Sequence, residues 1–303
     1  LYRTFYANKT EDDTTVAGLA AHQALLTMQK YYNTFKPDKV IMCFDRSSWR
    51  KQYTMSDKCL SGKKYKGTRR KDMTEAQQAK YKIFLQHLDD FEELITEQTT
   101  IITLAAPLLE ADDLMAGAVQ VLTMDGEHEV ILVTADKDMM QLLGYPNVRL
   151  IDPATGKDRT LENGVDKKGK VTGYNNDAEL FMFEKCIRGD MGDNVQSALP
   201  RCRLTRIRKA YEDDYERANL MNETWTDQNG KEFIVKELFK ENMLLMSLSH
   251  QPEDIQRTII ETVLENLEKP GTFSYFHFMK FLGRFELKKL ASNADMFVDM
   301  LSR

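Results

Sequence analysis

The stretch EVILVTADKDMMQLL, residues 129–143, decides the fold. A short apolar run rich in β-branched residues reads as a buried strand, and this one runs straight into two acids, Asp136 and Asp138, as a helical pattern over 137–143 begins. The same grammar recurs on either side. KVIMCF at 39–44, TIITL at 100–104 and NVRLI at 147–151 are further short apolar runs, and helical patterns fit at about 14–34, 74–97 and 110–124. In the last of these, Leu114, Ala118, Val121 and Leu122 form one stripe able to pack on a sheet. Strands alternating with helices predict an α/β fold whose mostly parallel sheet is flanked by helices. Residues 152–176 are rich in Gly, Asn, Asp and Thr and read as turns around a small hairpin. Beyond Asn176 the patterns are helical, at about 177–188, 231–248, 253–268, 273–283 and 293–302, with no convincing strand. The expected organisation is an α/β domain over 1–176 and a helical domain over 177–303.

A chain of 303 residues with 42% hydrophobic and 29% charged residues can bury a substantial core, which excludes both a metal-stapled module and a disordered chain. The longest weakly polar run, 99–109, is about half of what a membrane helix needs and contains Pro107. The start, LYRTFYANKTEDD, has neither a signal-peptide core nor an initiating Met, and reads as trimmed. Cys43, Cys59, Cys186 and Cys202 show no CxxC pair and no His at zinc spacing, the usage of a reduced, cytoplasmic protein. Nothing demands more than a monomer.

Formal net charge is −5, yet residues 46–71 hold ten Lys or Arg against Asp57 alone (+9), and 201–209 hold five with no acid (+5), leaving −19 elsewhere. Two cationic surfaces on an acidic body suit a protein that touches phosphates with part of its surface, although solvated loops would look the same. The first segment, poor in apolar residues, is expected to stand off the body as a mobile lid, over about 46–82.

The acids cluster where strands end. Asp45 follows KVIMCF; Asp136 and Asp138 follow EVILVTA; Glu110, Asp112 and Asp113 open the helix after TIITL; Asp190 and Asp193 flank Gly192 in GDMGDN. Ligand sites of open α/β sheets lie at that carboxyl edge. Singly, each block has an ordinary explanation as helix-terminal or turn acids. Gathered together, eight carboxylates would raise one another's pKa unless a cation neutralised them, and an all-oxygen set without His or Cys suits Mg²⁺ or Mn²⁺. Two such ions make phosphodiester hydrolysis feasible without a side-chain nucleophile.

At these residues the sequence resembles the 5′-nuclease superfamily, which includes flap endonucleases, the 5′-nuclease domains of bacterial DNA polymerases and the RNase H of T-even-like bacteriophages. The matching blocks are VIMCFDRSSWRKQY, KYKGTRRK, EADDLMAG, VTADKDMMQLL and IRGDMGDNV, in the family's order between about 40 and 195. The resemblance implies that Asp45, Glu110, Asp112, Asp136 and Asp138 surround a first metal region, and that Asp190 and Asp193 complete a second, with Asp113 nearby. It also implies that Lys66 and Arg69 steady the cleaved phosphate, nonspecific phosphate attraction being the plainer reading, and that Tyr65 stacks a terminal base. The family's Gly-x-Gly hairpin is replaced here by VQSALPRCRLTRIRK, which counts against a monovalent ion there and favours the phage RNase H branch. The family's first metal-site Asp precedes the segment matching LYRTFYA, so that ligand is expected upstream of Leu1.

The implied activity is removal of RNA primers and short 5′ flaps from branched DNA and RNA/DNA duplexes during replication, beside a single-stranded-DNA-binding protein or a clamp, though no sliding-clamp motif is legible. Duplex would rest on Arg201, Arg203, Arg206 and Arg208, and the 5′ strand would pass the lid at Arg50, Lys63, Lys64 and Lys66, with Tyr53 or Tyr65 stacking bases. A PIN-like ribonuclease and a catalytically silent DNA-binding protein are the alternatives. Met296, Phe297, Met300 and Leu301 form a terminal apolar stripe suited to core packing or to a partner.

Overall fold

The computed structural model describes residues 13–69, 74–165, 171–269 and 271–303. The LYRTFYA segment, and Arg70 and Lys71 at the end of the basic segment, lie outside the described residues. In chain order come α1 (Asp13–Phe35), β1 (Ile41–Cys43), α2 (Trp49–Met55), α3 (Glu75–Gln98), β2 (Ile102–Leu104), α4 (Ala111–Leu122) and β3 (Val130–Val133). A 3₁₀ segment (Asp138–Gly144), β4 (Val148–Ile151), β5 (Asp158–Arg159), β6 (Gly164–Val165) and β7 (Val171–Thr172) follow. The remainder holds α5 (Ala178–Arg188), α6 (Leu204–Glu212), α7 (Asp214–Met221), β8 (Thr224–Thr226), β9 (Glu232–Ile234), α8 (Val235–Met246), α9 (Glu253–Leu267), α10 (Tyr275–Arg284), α11 (Lys288–Ala291), a 3₁₀ turn (Ala294–Phe297) and α12 (Val298–Ser302).

Packing groups the chain into two compact units: 1–44 with 72–105 and 264–303, and 45–71 with 106–263. This differs from a boundary after Asn176, because apolar residues at the end of the chain join the core of the first unit. There β1 and β2 pair in parallel, Ile41 opposite Ile102. Leu25, Phe91, Ile95, Phe278, Phe297, Met300 and Leu301 share one core, so most of the terminal stripe is core, while Met296 stays exposed. Helix α3 starts where Thr74 caps the Gln77 N–H and the Gln77 side chain accepts the Thr74 N–H in return.

In the second unit β3 and β4 pair in parallel, Val130 opposite Val148, and β5 adds an antiparallel edge. Helix α4 packs Ala116 and Val119 against Leu132, Met139 and Leu150. The small hairpin of the turn-rich segment is β6–β7.

Two features depart from the reading of the second half. Helices α6 and α7 were not legible, and neither was the hairpin β8–β9, where Trp225 stacks on Phe233 and donates to the Ala198 carbonyl at 2.8 Å. Three-residue strands around a polar turn carry too little alternation to stand out. Helix α8 accordingly begins at Val235, not at 231.

The basic segment is the larger correction. Its described part does not stand off the body: residues 45–69 belong to the second unit, α2 is capped by the Ser48 hydroxyl, and Trp49, Arg50, Thr54 and Tyr65 are buried. A segment can be short of aliphatic residues and still bury two aromatic rings and a guanidinium, provided that carboxylates receive the charge.

Candidate active site

The predicted acids arise from four stretches of the second unit. Asp45 leaves the end of β1 and accepts the Ala111 N–H at 2.9 Å, in the first turn of α4. Glu110 sits at the N-cap of α4 and turns its carboxylate inward, accepting the Ser48 hydroxyl at 2.7 Å and an Arg50 N–H at 3.2 Å, and pairing closely with Lys66. Asp136 accepts the Asp138 N–H at 2.8 Å, which orders the turn after β3. Asp190 accepts the N–H groups of Gly192 at 2.7 Å and Asp193 at 3.2 Å, folding GDMGDN into a compact loop. Gly189 makes that loop possible: its φ is +67, and a Cβ there would lie 2.6 Å from the Ser197 nitrogen.

Two lysines tie these stretches together. Lys66 bridges Glu110 and Asp193, the latter at 3.9 Å. It does so from a left-handed backbone (φ 53), a conformation costing about 1 kcal/mol or more in a non-glycine residue, held by its N–H on the Asp193 carbonyl at 2.7 Å. Lys185, on α5, bridges Asp138 and Asp190, the latter at 3.3 Å. Lys185 was not foreseen; its signal is weak, a lysine five residues before Asp190 on a helix that ends at the acidic loop.

Burial alone would lower the pKa of each lysine, but Glu110 and Asp193 hold Lys66, and Asp138 and Asp190 hold Lys185, above the usual lysine range. Burial likewise works against ionised Glu110, yet Lys66 and Arg50 keep its carboxyl below the ordinary value. Asp112 is different. Burial, then the neighbouring Asp136 and Asp45, push its carboxyl up to about 7, and Lys66 only partly offsets them. Burial also raises Asp138, with Lys185 opposing and Asp136 and Asp190 adding to the rise.

Glu110, Asp112, Asp138 and Asp193 line one cavity, together with Tyr65, Arg50 and Gln141. Among the described residues, no three acidic, His or Cys side chains surround a common point in this arrangement; Lys66 and Lys185 lie between the acids. The donor set nevertheless fits hard divalent ions: it is all oxygen, and beyond burial the charges of Asp136 and Asp45 raise the Asp112 carboxyl, a repulsion that a cation would relieve.

Other predicted residues have different surroundings. Asp113 is fully buried and forms a two-pronged pair with Arg50, at 2.9 and 2.7 Å, with Gln251 donating at 3.1 Å. Arg50, expected to meet phosphates, is therefore enclosed among Asp113, Glu110 and the Leu245 carbonyl. Tyr65, expected to stack a base, is buried and donates its hydroxyl to Asp193 at 2.8 Å. Burial, followed by Glu110, raises its phenol pKa. Arg69 is exposed and pairs with Asp193, its Nε donating to the Gly192 carbonyl at 3.3 Å. Tyr53 is half-buried, its hydroxyl on the Lys58 carbonyl at 3.3 Å.

Of the four arginines expected on duplex, Arg208 reaches inward, to the Gly173 carbonyl at 2.8 Å and Glu184 at 3.6 Å, while Arg206 pairs with Glu223. Arg201 and Arg203 are exposed, as are Lys63 and Lys64. Arg208 follows the buried Ile207 on α6 and finds internal acceptors, whereas Arg201 and Arg203 precede the helix.

The model of the family described as 5′-3′ exonuclease, N-terminal resolvase-like domain, matches residues 1–170. The ribonuclease H of Enterobacteria phage T4 is 23% identical over 256 residues, covering 80% of this chain and 75% of the relative. Two solved structures of phage T5 share the fold at 21% identity. The T5 D15 protein co-crystallised with metal ions superposes with a TM-score of 0.59, covering 82% of this chain and 91% of that one. The T5 5′-exonuclease with bound zinc does so with 0.60, covering 88% and 96%. With more than half of its length matched by the family model, the chain belongs to the 5′-3′ exonuclease family of phosphodiester-cleaving nucleases.

Proposed function

We propose that the chain is a divalent-metal-dependent, structure-specific 5′ nuclease that removes RNA primers and short 5′ flaps, leaving a 5′-phosphate. The observation that carries this reading is the convergence of Glu110, Asp112, Asp138 and Asp193, from three separate stretches, on one cavity beside Lys66. Two relatives support the substrate class by their names: the T4 protein is a ribonuclease H, and a T5 flap endonuclease was solved with DNA and metal ions.

Asp45, Glu110, Asp112, Asp136 and Asp138 would hold one Mg²⁺ or Mn²⁺ ion, and Asp190 and Asp193 a second. Such ions supply Lewis acidity at the scissile phosphate and neutralise the carboxylates. The chain's own cations do the remaining electrostatic work. Lys66 and Arg69, already gathered on Asp193, are placed to turn toward the phosphoryl group and stabilise its developing charge. Tyr65 orients Asp193 instead of stacking a base. Lys63 and Lys64 would be exposed cations for the 5′ strand, and Arg201 and Arg203 those for the duplex, with the helices between 178 and 246 as its platform.

The test is cleavage of a 5′-labelled flap and of an RNA/DNA hybrid by the purified chain, in Mg²⁺, in Mn²⁺ and in EDTA. Short 5′ products in either metal and none in EDTA are expected. Asp138→Asn and Asp193→Asn should each lower kcat by about 100-fold or more with DNA affinity kept within a few-fold. Near-normal turnover by both variants would refute the site.

A further inference from the structure

We propose that Glu241 is a positioning residue that clamps the basic loop 56–64 beside the active-site cavity and thereby sets how the loop's lysines meet substrate phosphates. The inference rests on the nuclease reading for its substrate, but its geometry is independent of it. Glu241 lies on α8 with 4% of its surface exposed, and no Lys or Arg among the described residues forms an ion pair with it. Its carboxylate instead accepts two successive backbone N–H groups from the basic loop, one from Leu60 and one from Ser61 at 3.1 Å, with the Cys59 thiol at 3.9 Å. Lys231 adds a bond from the other side, donating to the Leu60 carbonyl at 2.7 Å.

Burying a carboxylate is costly unless its hydrogen bonds are complete, and here they go to a loop that offers the core little in return. What the loop does offer is charge: Lys58, Lys63 and Lys64 are exposed, and Asp57 is its lone acid. Mutual repulsion favours a loop that moves away from the body, and Glu241 opposes this. The next residue on α8, Asn242, donates to the Cys186 and Gln196 carbonyls at 2.7 and 2.8 Å, which flank the Asp190–Asp193 loop. One helical turn therefore braces both the acidic loop and the basic one.

The far end of the basic loop has its own anchors. Tyr65 N–H donates to the Thr54 hydroxyl at 2.9 Å, Asn194 to the Lys64 carbonyl at 2.9 Å, and Lys66 N–H to the Asp193 carbonyl at 2.7 Å. Loss of Glu241 should thus free residues 58–63 while leaving Lys66 in place, so that substrate binding suffers and the chemical step does not.

The experiment compares wild type, Glu241→Ala and Glu241→Gln by steady-state kinetics on a 5′ flap at several salt concentrations, and by limited trypsin digestion without DNA. Glu241→Ala is expected to raise KM about 5- to 20-fold, to keep kcat within about threefold, and to make log KM less steep in log[salt] by about one, as for one lost phosphate contact. Trypsin should cut after Lys58 and Lys63 several-fold faster. Glu241→Gln retains one acceptor oxygen and should fall between, which keeps the test open should the alanine variant fail to fold. Wild-type KM and salt slope in Glu241→Gln, or in a folded Glu241→Ala, would overturn the proposal. Should wild type show no metal-dependent cleavage, the nuclease reading fails separately, and the clamp is then judged by trypsin and by DNA affinity in EDTA, where unchanged values in both variants would overturn it.

Discussion

Two neighbouring groups of charge in the second unit are built from the same residue types and resolved in opposite ways. Around Arg50, the carboxylates of Asp113 and Glu110 and the Leu245 carbonyl accept from a buried guanidinium, and the Gln251 amide donates to Asp113 in turn. Around Asp112, burial and the acids Asp136 and Asp45 act on a carboxyl that forms no salt bridge among the described residues, and its pKa climbs to about 7. A closed pair serves as architecture, while the crowded cluster is where the proposed divalent ion would bind. Burial does not separate the two, since Arg50 and Asp112 are both shielded; what separates them among the described residues is direct pairing, as Arg50 bonds its carboxylates while Lys66 only partly offsets the charge around Asp112.

The strongest way to break the contrast is Arg50→Met, which strands the buried Asp113 without its guanidinium and leaves Glu110 to Lys66 and the Ser48 hydroxyl. A loss of about 3–5 kcal/mol is expected, read as a lowered midpoint in denaturant unfolding. The converse change, Asp112→Asn, relieves crowding and should stabilise the metal-free protein at pH 8 by about 1–2 kcal/mol, after allowance for solvent screening, while abolishing cleavage.

A pH series sharpens the same point. The Asp112 carboxyl ionises near 3.8 when unfolded and near 7 when folded, so between these values the folded state holds a proton that the unfolded state lacks. In EDTA, this group's contribution to stability therefore declines as pH rises from about 4 to 7 and levels off above. Thermal melts should show that slope in wild type and a shallower one in Asp112→Asn. Divalent-ion uptake should release up to about one proton near pH 6 and almost none at pH 8.5, measurable by calorimetry in buffers of different ionisation enthalpy. The smallest effect is expected far from both clusters: Arg206→Ala, which removes an exposed pair with Glu223, should change stability by less than about 1 kcal/mol.

Strands β1 to β4, helices α1, α3 and α4 and the edge on which the acids fall were legible in the sequence, because period and turn residues are local signals, whereas α2 was hidden in a segment read as a lid. EVILVTADKD announces a strand and the acids at its end without reference to anything distant. Lys185 was missed because a lysine on a helix is ordinarily a solvent-facing residue, and only its approach to Asp138 and Asp190 reveals it. Arg50 and Tyr65 were misplaced for the opposite reason: their surroundings in the sequence are basic and polar, and their acidic partners lie some 60 and 130 positions away. Hairpin β8–β9 and helices α6 and α7 escaped because each is short, and long-range packing stabilises them more than local propensity does.

By itself the sequence determined the α/β class, the order of the acidic blocks and their hard-oxygen chemistry, all of which follow from residue type and spacing along the chain. Tertiary structure alone decided, among the described residues, which carboxylates pair directly with a cation, so that Asp113 became a strut and Asp112 an acid whose charge Lys66 only partly offsets. The reason is Coulombic: interaction energy depends on separation in space and on local polarisability, and neither quantity is written in the distance between two residues along a chain.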